Sequence, residues 1–271
     1  MEHGREATGV SPVRPDAPAP RTPTPRTHDD RAAPDGDRLR TDATVPAPAR
    51  TDADQAHAGR EHRALRRERL LATATELFTT RGYPATSVER ICGTAHVPVR
   101  AFYEEFEGRE ALLIALHNEV ARAGMEATLT VLSDPRLESA GTRERITELG
   151  RAYAAAVTGE TAAARMAFVE VVGAGRAVEE QRLLWRGLWS GFLTAEAERA
   201  VARGEAPPRD YGLAMVALTG AVNELVAHWT RNSASLSREL LADELVHHTL
   251  ATLGIAADDT TAAGHPPDEG N

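Results

Sequence analysis

The sequence predicts an all-α protein, a helix-turn-helix unit followed by a larger helical domain. Three observations carry that reading. From Leu70 to Leu253 apolar residues recur at three- and four-residue spacing, and no alternating strand pattern of useful length interrupts them. Aromatic residues are only 4% of a chain that is 42% hydrophobic, as in Ala- and Leu-rich helices. Gly, Pro and capping residues fall between the periodic stretches, where helices must stop and restart.

Residues 1–58 hold nine of the 16 prolines, no aromatic residue and few large aliphatics, so they are expected to form a disordered extension. A first helix is expected from about Glu61 to Thr80, with Leu70, Leu71, Ala74, Leu77 and Phe78 as its apolar stripe. Gly82 ends it as a C-cap and Pro84 prevents continuation. Thr86 and Glu89 read as a capping box for a short helix from Ser87 to about Thr94 that buries Val88, Ile91 and Cys92. A tight turn at Ala95 and His96 leads to Pro98, which suits the first turn of a third helix carrying the run VPVRAFYEEF. Two helices joined by a short turn, the second bearing Arg and Tyr, make a helix-turn-helix. Further helices are expected at Glu110–Met125, Thr142–Val157, Thr161–Val172, Val178–Arg203, Asp210–Thr230 and Leu236–Leu253, with a polar tail over 255–271.

The formal charge is -9, and all 31 basic residues are arginine. The acid is uneven. Between Arg60 and Glu110 there are nine Arg against eight acids, whereas the excess of acid lies in the later helices. Only the central segment can approach a phosphate backbone without net repulsion, and it opens with Arg60, Arg63, Arg66, Arg67 and Arg69. That run fits either a solvated helix face or a phosphate-facing one. No apolar run reaches the roughly 18 residues needed to cross a bilayer. The N-terminus lacks the apolar core of a secretory signal, and a single cysteine, Cys92, excludes an internal disulfide framework or a cysteine-based zinc site. A soluble, cytoplasmic protein is expected, with no membrane partner.

Between Arg66 and Leu113 the pieces LLATATELFTTRGY, TSVERIC, AHVPVRAFYEEF and GREALL, ungapped, resemble the DNA-binding domain of TetR-type (TetR/AcrR) transcriptional regulators. The resemblance covers about one-fifth of the chain, and for the later helices it rests on their number and order. It implies a helix-turn-helix DNA-binding domain at 59–112 and an effector-binding and dimerisation domain at 113–254. Thr86 or Ser87 would meet a phosphate at a helix N-terminus. Val99, Arg100 and Ala101 would face base edges, Arg100 with two hydrogen bonds to guanine and Ala101 against a thymine methyl. Tyr103 would contact phosphate, and Arg109 takes the place of a usual lysine. Three departures stand out. His96 occupies a turn position where the family has glycine, a site that often needs positive φ. Glu105 replaces a common phosphate-contacting histidine, and Glu104 and Glu107 add charge beside it.

In the later part Trp185, Trp189 and Phe192 share a helix face, which suits either core packing or the wall of an apolar ligand pocket. Met166, Phe168, Tyr211 and Met215 are further wall candidates. Glu224 and His228, four apart, could orient a ligand or simply pair with each other. Histidines 117, 228, 247 and 248 do not make a metal site, because neighbours on a helix point apart and no cysteine supports them. The stretch from Gly187 to Gly191 has the wrong spacing for a nucleophile elbow and lies in a helix. Neither a cofactor nor an enzymatic activity is expected.

A single short reading helix covers few base pairs, so a homodimer on a palindromic operator is expected. Its interface is expected in the helices at about 210–230 and 236–253, using Ala217, Gly220, Ala221, Leu225, Leu240, Leu241, Leu245 and Val246. The whole reads as a DNA-binding transcriptional regulator, a repressor released by an unknown small-molecule effector. The alternative is a helical small-molecule-binding or scaffold protein that has lost specific DNA binding, a reading that the acids at 104, 105 and 107 favour.

Overall fold

The computed structural model describes residues 52–256. The expectations for 1–51 and 257–271 lie outside the described residues. Within them the chain is helical, without a strand. Helix α1 (Asp52–Arg81), α2 (Val88–Ala95) and α3 (Val99–Tyr103) form the head, and α4 (Arg109–Leu132) leads out of it. Behind it come α5 (Pro135–Ser139), α6 (Thr142–Val157), α7 (Thr161–Arg165), α8 (Arg176–Ala202), α9 (Gly212–Asn232) and α10 (Arg238–Leu253).

Helix α1 starts earlier than Glu61, because no proline interrupts the stretch between Pro48 and Pro84. Gly82 ends it at φ 83°, its N–H donating to the Phe78 carbonyl at 2.9 Å. The cap of α2 is Ser87, not Thr86. The Ser87 hydroxyl accepts from the Arg90 N–H at 3.3 Å, and the Glu89 carboxyl lies below its usual range through bonds from its own backbone and from Ser87. His96 closes α2 in the left-handed region, φ 52° and ψ 44°, the one non-glycine at positive φ among the described residues. The expected strain at that turn position is therefore real.

The head is held by Leu70, Ala74, Phe78, Ile91, Phe102 and Leu112, all without exposed surface. Met166, Ala167, Val171 and Val178 from further along the chain belong to the same cluster. That cluster thus joins the reading unit to the body. Two other clusters fill the body, one around Tyr153, Val157, Val226, Trp229 and Leu245, the other around Ile146, Leu149, Tyr211, Met215, Leu250 and Leu253.

Small residues set the spacing of the body helices. A Cβ on Gly124 would stand 2.9 Å from Val157 Cγ1, and one on Gly150 would stand 2.6 Å from Val246 Cγ2. Those glycines let α6 lie close to α4 and to α10. Arg145 of α6 and Glu196 of α8 form a buried bidentate ion pair at 2.7 and 2.9 Å, and Arg145 also donates to the Leu137 carbonyl at 2.9 Å.

Two elements differ from expectation. Helix α5 was not foreseen, although its start is written in Asp134 and Pro135: the Asp134 carboxylate accepts from the Arg136 N–H at 3.0 Å. The segment expected as one helix from Thr161 to Val172 is α7 followed by a π-helical turn, Met166–Glu170. Such a turn inserts a residue into the helical repeat, and side-chain periodicity does not announce it.

Candidate nucleic-acid interface and effector cavity

Helix α3 presents Val99, Arg100 and Tyr103 outward, the Arg100 side chain being 94% exposed. Phe102, on the opposite side, is fully buried and fixes the helix by edge contacts with Tyr103 and packing on Phe106. Ala101 is half-buried against the core, so its face is turned away from that of Arg100. Ser87 is exposed at the α2 N-terminus. Thr86 has no exposed surface, and its hydroxyl donates to the Gly82 carbonyl at 3.0 Å and toward that of Leu77 at 3.4 Å. It braces the turn and cannot reach a phosphate, a correction that follows from burial.

Arg109 is also placed differently. Its Nη1 donates to the carbonyls of Thr86 at 2.6 Å, Tyr83 at 2.9 Å and Pro84 at 3.3 Å, and its guanidinium lies 4.2 Å from the Tyr83 ring centroid. Nη1 carries two hydrogens, so the three carbonyls of the turn share them. Its principal work is to hold the α1–α2 turn.

The acids beside α3 are tied back. The Glu105 carboxylate, 7% exposed, meets Arg66 of α1 at 2.6 Å, and Glu104 meets the same nitrogen at 3.2 Å. Arg67 lies over the Phe106 ring at 4.5 Å. Two arginines of the α1 run thus serve as clamps between α1 and the end of α3. Glu107 stays exposed.

In the body an apolar cavity of about 600 Å³, its mouths included, opens among α4, α6, α8, α9 and α10. Ile146, Leu149, Tyr153, Trp189, Phe192, Val222 and Leu245 supply its wall. Thr128, Thr219 and Thr249 also line it, but each hydroxyl donates to a carbonyl of its own helix. The lining is therefore mostly apolar, with the Asn223 amide and the Tyr153 phenol as its polar groups, and no charged residue belongs to it. A second compartment of about 490 Å³, opening included, shares Tyr153, Trp189 and Asn223 with the first. It adds His117, Phe168, Arg182, Trp185 and Arg186. His117 is buried, and burial pushes its pKa down to about 4 against the bond to Ala167, with the Arg182 charge acting in the same downward direction. Burial likewise raises the Tyr153 phenol above its usual range.

Of the expected wall residues, Trp189 lines both compartments, and Trp185 and Phe168 line the second. Trp185 donates to Asn118 at 2.7 Å. Met166, Tyr211 and Met215 do not reach either. They are core residues, and the Tyr211 hydroxyl donates to the Pro207 carbonyl at 3.0 Å. Glu224 and His228 are on the exposed side of α9; Glu224 pairs with Arg231 at 3.3 Å and His228 accepts at its carbonyl from Asn232. Tyr153 and Asn223 were missed because α6 and α9 meet α8 only in the fold, and Arg182 and Arg186, on α8 beside Trp185, because an apolar stripe does not reveal the charged residues that flank it. Among the described residues no group of three or more His, Cys, Asp or Glu could hold a metal, and no helix is long and apolar enough to cross a membrane.

Residues 70–116 match the family profile described as bacterial regulatory proteins, tetR family. Comparison with curated proteins by sequence finds no match. A tetR-family regulatory protein from Rhodococcus RHA1 is similar in structure at TM-score 0.59 and 22% identity, covering 71% of this chain and 98% of that one. The regulator FadR from Bacillus subtilis, solved with stearoyl-CoA, gives 0.60 at 19% identity, covering 70% and 99%. AibR, solved with isovaleryl coenzyme A and operator DNA, gives 0.52 at 21%, covering 67% and 96%. Residues 70–116 thus form a segment similar to the tetR-family profile, running through the head, and the described helices adopt the fold of those regulatory proteins.

Proposed function

We propose that the protein is a homodimeric, sequence-specific DNA-binding transcriptional regulator, a cytoplasmic repressor released by a small-molecule effector. The observation that carries this reading is the outward set of Val99, Arg100 and Tyr103 on a helix anchored by buried Phe102, with Ser87 beside it at a helix N-terminus. The neighbouring acids, which favoured a protein that had lost DNA binding, lose weight because Glu105 is spent on Arg66. Structural neighbours solved with operator DNA and with acyl-coenzyme A support both the partner and the ligand response.

The dimer face needs revising from the expected one. Helix α10 already buries Leu241, Ala242, Leu245, Leu250 and Leu253 within the protomer and turns Asp243, Glu244, His247 and His248 outward. Exposed apolar surface instead runs along α8 at Leu184, Gly187, Leu188 and Gly191 and along α9 at Leu213, Val216, Ala217 and Ala221, with Leu213 86% exposed. A second copy covering that stripe removes it from water and sets the spacing of the two α3 helices. Leu188→Glu with Leu213→Glu is expected to give monomers by analytical ultracentrifugation.

The π-helical turn offers the route from cavity to head. Phe168 lines the second compartment, the Ala167 carbonyl accepts from His117, and Met166, Ala167 and Val171 sit in the head cluster. Glu170 accepts from the Tyr83 N–H at 3.4 Å, in the turn that Arg109 caps. An effector that displaces this turn biases the head, and by linkage it binds the DNA-bound form more weakly. The test is a mobility shift on duplexes selected from a random pool. Binding is expected to be sequence-selective and to fall with salt; retention of no duplex even at low salt would refute the regulator reading.

A further inference from the structure

The second compartment holds polar groups that the protein itself leaves unused. His117 Nδ1 lies 3.1 Å from the Ala167 carbonyl, which only accepts, so that nitrogen carries the proton of the neutral ring. Nε2 is then a bare acceptor, buried and without a hydrogen-bond partner. Arg186, half-buried on α8, has neither a hydrogen bond nor an ion pair among the described residues. Its Nη2 would lie 3.3 Å from a Cβ on Gly220, so a residue without a side chain lets it lie across α9. Arg182 adds a second positive charge, paired with Glu179, and no carboxylate lines the compartment. A buried acceptor without a ligand is costly to maintain, and the half-buried guanidinium beside it has only solvent to answer its charge. Two arginines and no acid exclude a cation as the occupant. Next to them, past Tyr153 and Trp189, lies the larger, mostly apolar cavity.

From this juxtaposition we infer that the effector is an amphipathic anion: an apolar chain in the larger cavity and a head that offers a negative group to Arg186 and an N–H or O–H donor to His117 Nε2. The inference rests on the effector reading above and names its ligand class. Two sources share this chemistry, a free acylated amino acid and an acyl thioester of a phosphorylated carrier.

Isothermal titration of the purified full chain with four probes separates the requirements. N-decanoylglycine has chain, N–H and carboxylate; its methyl ester lacks the anion; decanoate lacks the N–H; decanoyl-coenzyme A carries the phosphorylated thioester head. At least one of N-decanoylglycine and decanoyl-coenzyme A is expected to bind about tenfold or more tightly than both the ester and decanoate, the tighter of the two marking the source. Arg186→Gln is expected to abolish the margin over the ester, and His117→Phe the margin over decanoate. Equal affinities for the probes, margins that survive in the variants, or no binding by any probe would each overturn the inference. Should His117→Phe fail to fold, the comparison of probes on the wild-type chain decides alone. The effector reading falls separately, if no compound of any class releases the selected duplex in the mobility shift.

Discussion

Head and body treat their polar groups in opposite ways. In the head, side chains that look available in the sequence are engaged: Arg66 holds Glu104 and Glu105, Arg109 closes three carbonyls, Thr86 donates inward, and Ser87 caps α2. What faces solvent is Arg100 with its neighbours on one short helix, its Nε 3.9 Å from the exposed Glu104 carboxylate. In the body, the walls of the two compartments leave His117 Nε2 and Arg186 without partners. Arg66 Nε is the head's exception, buried without a partner, but unlike His117 it lines neither compartment. On the proposed function, a group left unused beside a cavity is where a ligand completes the body.

The largest effects should come from the cores that make each half. Phe102→Ala is expected to cost about 3–5 kcal/mol in chemical denaturation and to abolish duplex binding, because α3 has no other buried anchor of that size. In the body, Glu196→Ala leaves Arg145 buried without its carboxylate, at a cost of about 3–5 kcal/mol. If the head is self-sufficient, hydrogen exchange in Glu196→Ala will rise around α6 and α8 before it rises in α2 and α3. Equal loosening of both would break the comparison.

Next comes the titration of His117. Its folded pKa of about 4 lies below the ordinary 6.5, so between these values the unfolded chain binds more protons. Its contribution to stability is complete above pH 6.5 and is lost as the pH falls toward 4. The loss is on the order of 3 kcal/mol, read as the difference in pH dependence of urea unfolding between wild type and His117→Phe. An identical pH dependence in the two proteins would remove the buried neutral imidazole from the account.

The two arginines once paired as DNA contacts sharpen the comparison at the small end. Arg109→Ala should lower stability by about 1.5–3 kcal/mol, through the opened turn, and weaken all duplexes with it. Arg100→Ala should change stability by less than about 0.5 kcal/mol, since its side chain is almost wholly in solvent.

Much of the head was legible because its signals are local. Gly82, His96 and Pro98 punctuate it within a few residues of the helices they bound. Thr86 was misplaced as a cap because Thr and Ser adjoin and either can cap; burial of Thr86 under the α1 end decided between them. The bonds of Arg109 were hidden for a related reason, since a sequence shows charge and conceals the carbonyls that a fold brings to it. The cavity was only half legible. Trp185, Trp189 and Phe192 were found from a helix stripe, but Tyr153 and Asn223 join them from other helices, and Arg186, next to Trp185 on α8, falls outside an apolar stripe. That α10 spends most of its apolar side on its own protomer, while α8 and α9 keep exposed apolar residues, was not legible either, because periodicity shows an apolar face and not what covers it.

The central claim, that α3 reads sequence through Arg100, is tested most directly by fluorescence anisotropy on a selected and a scrambled duplex at one salt concentration. Wild-type protein should prefer the selected duplex, and Arg100→Ala should lose about tenfold of that preference while binding the scrambled one as before. A preference unchanged by Arg100→Ala would contradict the claim.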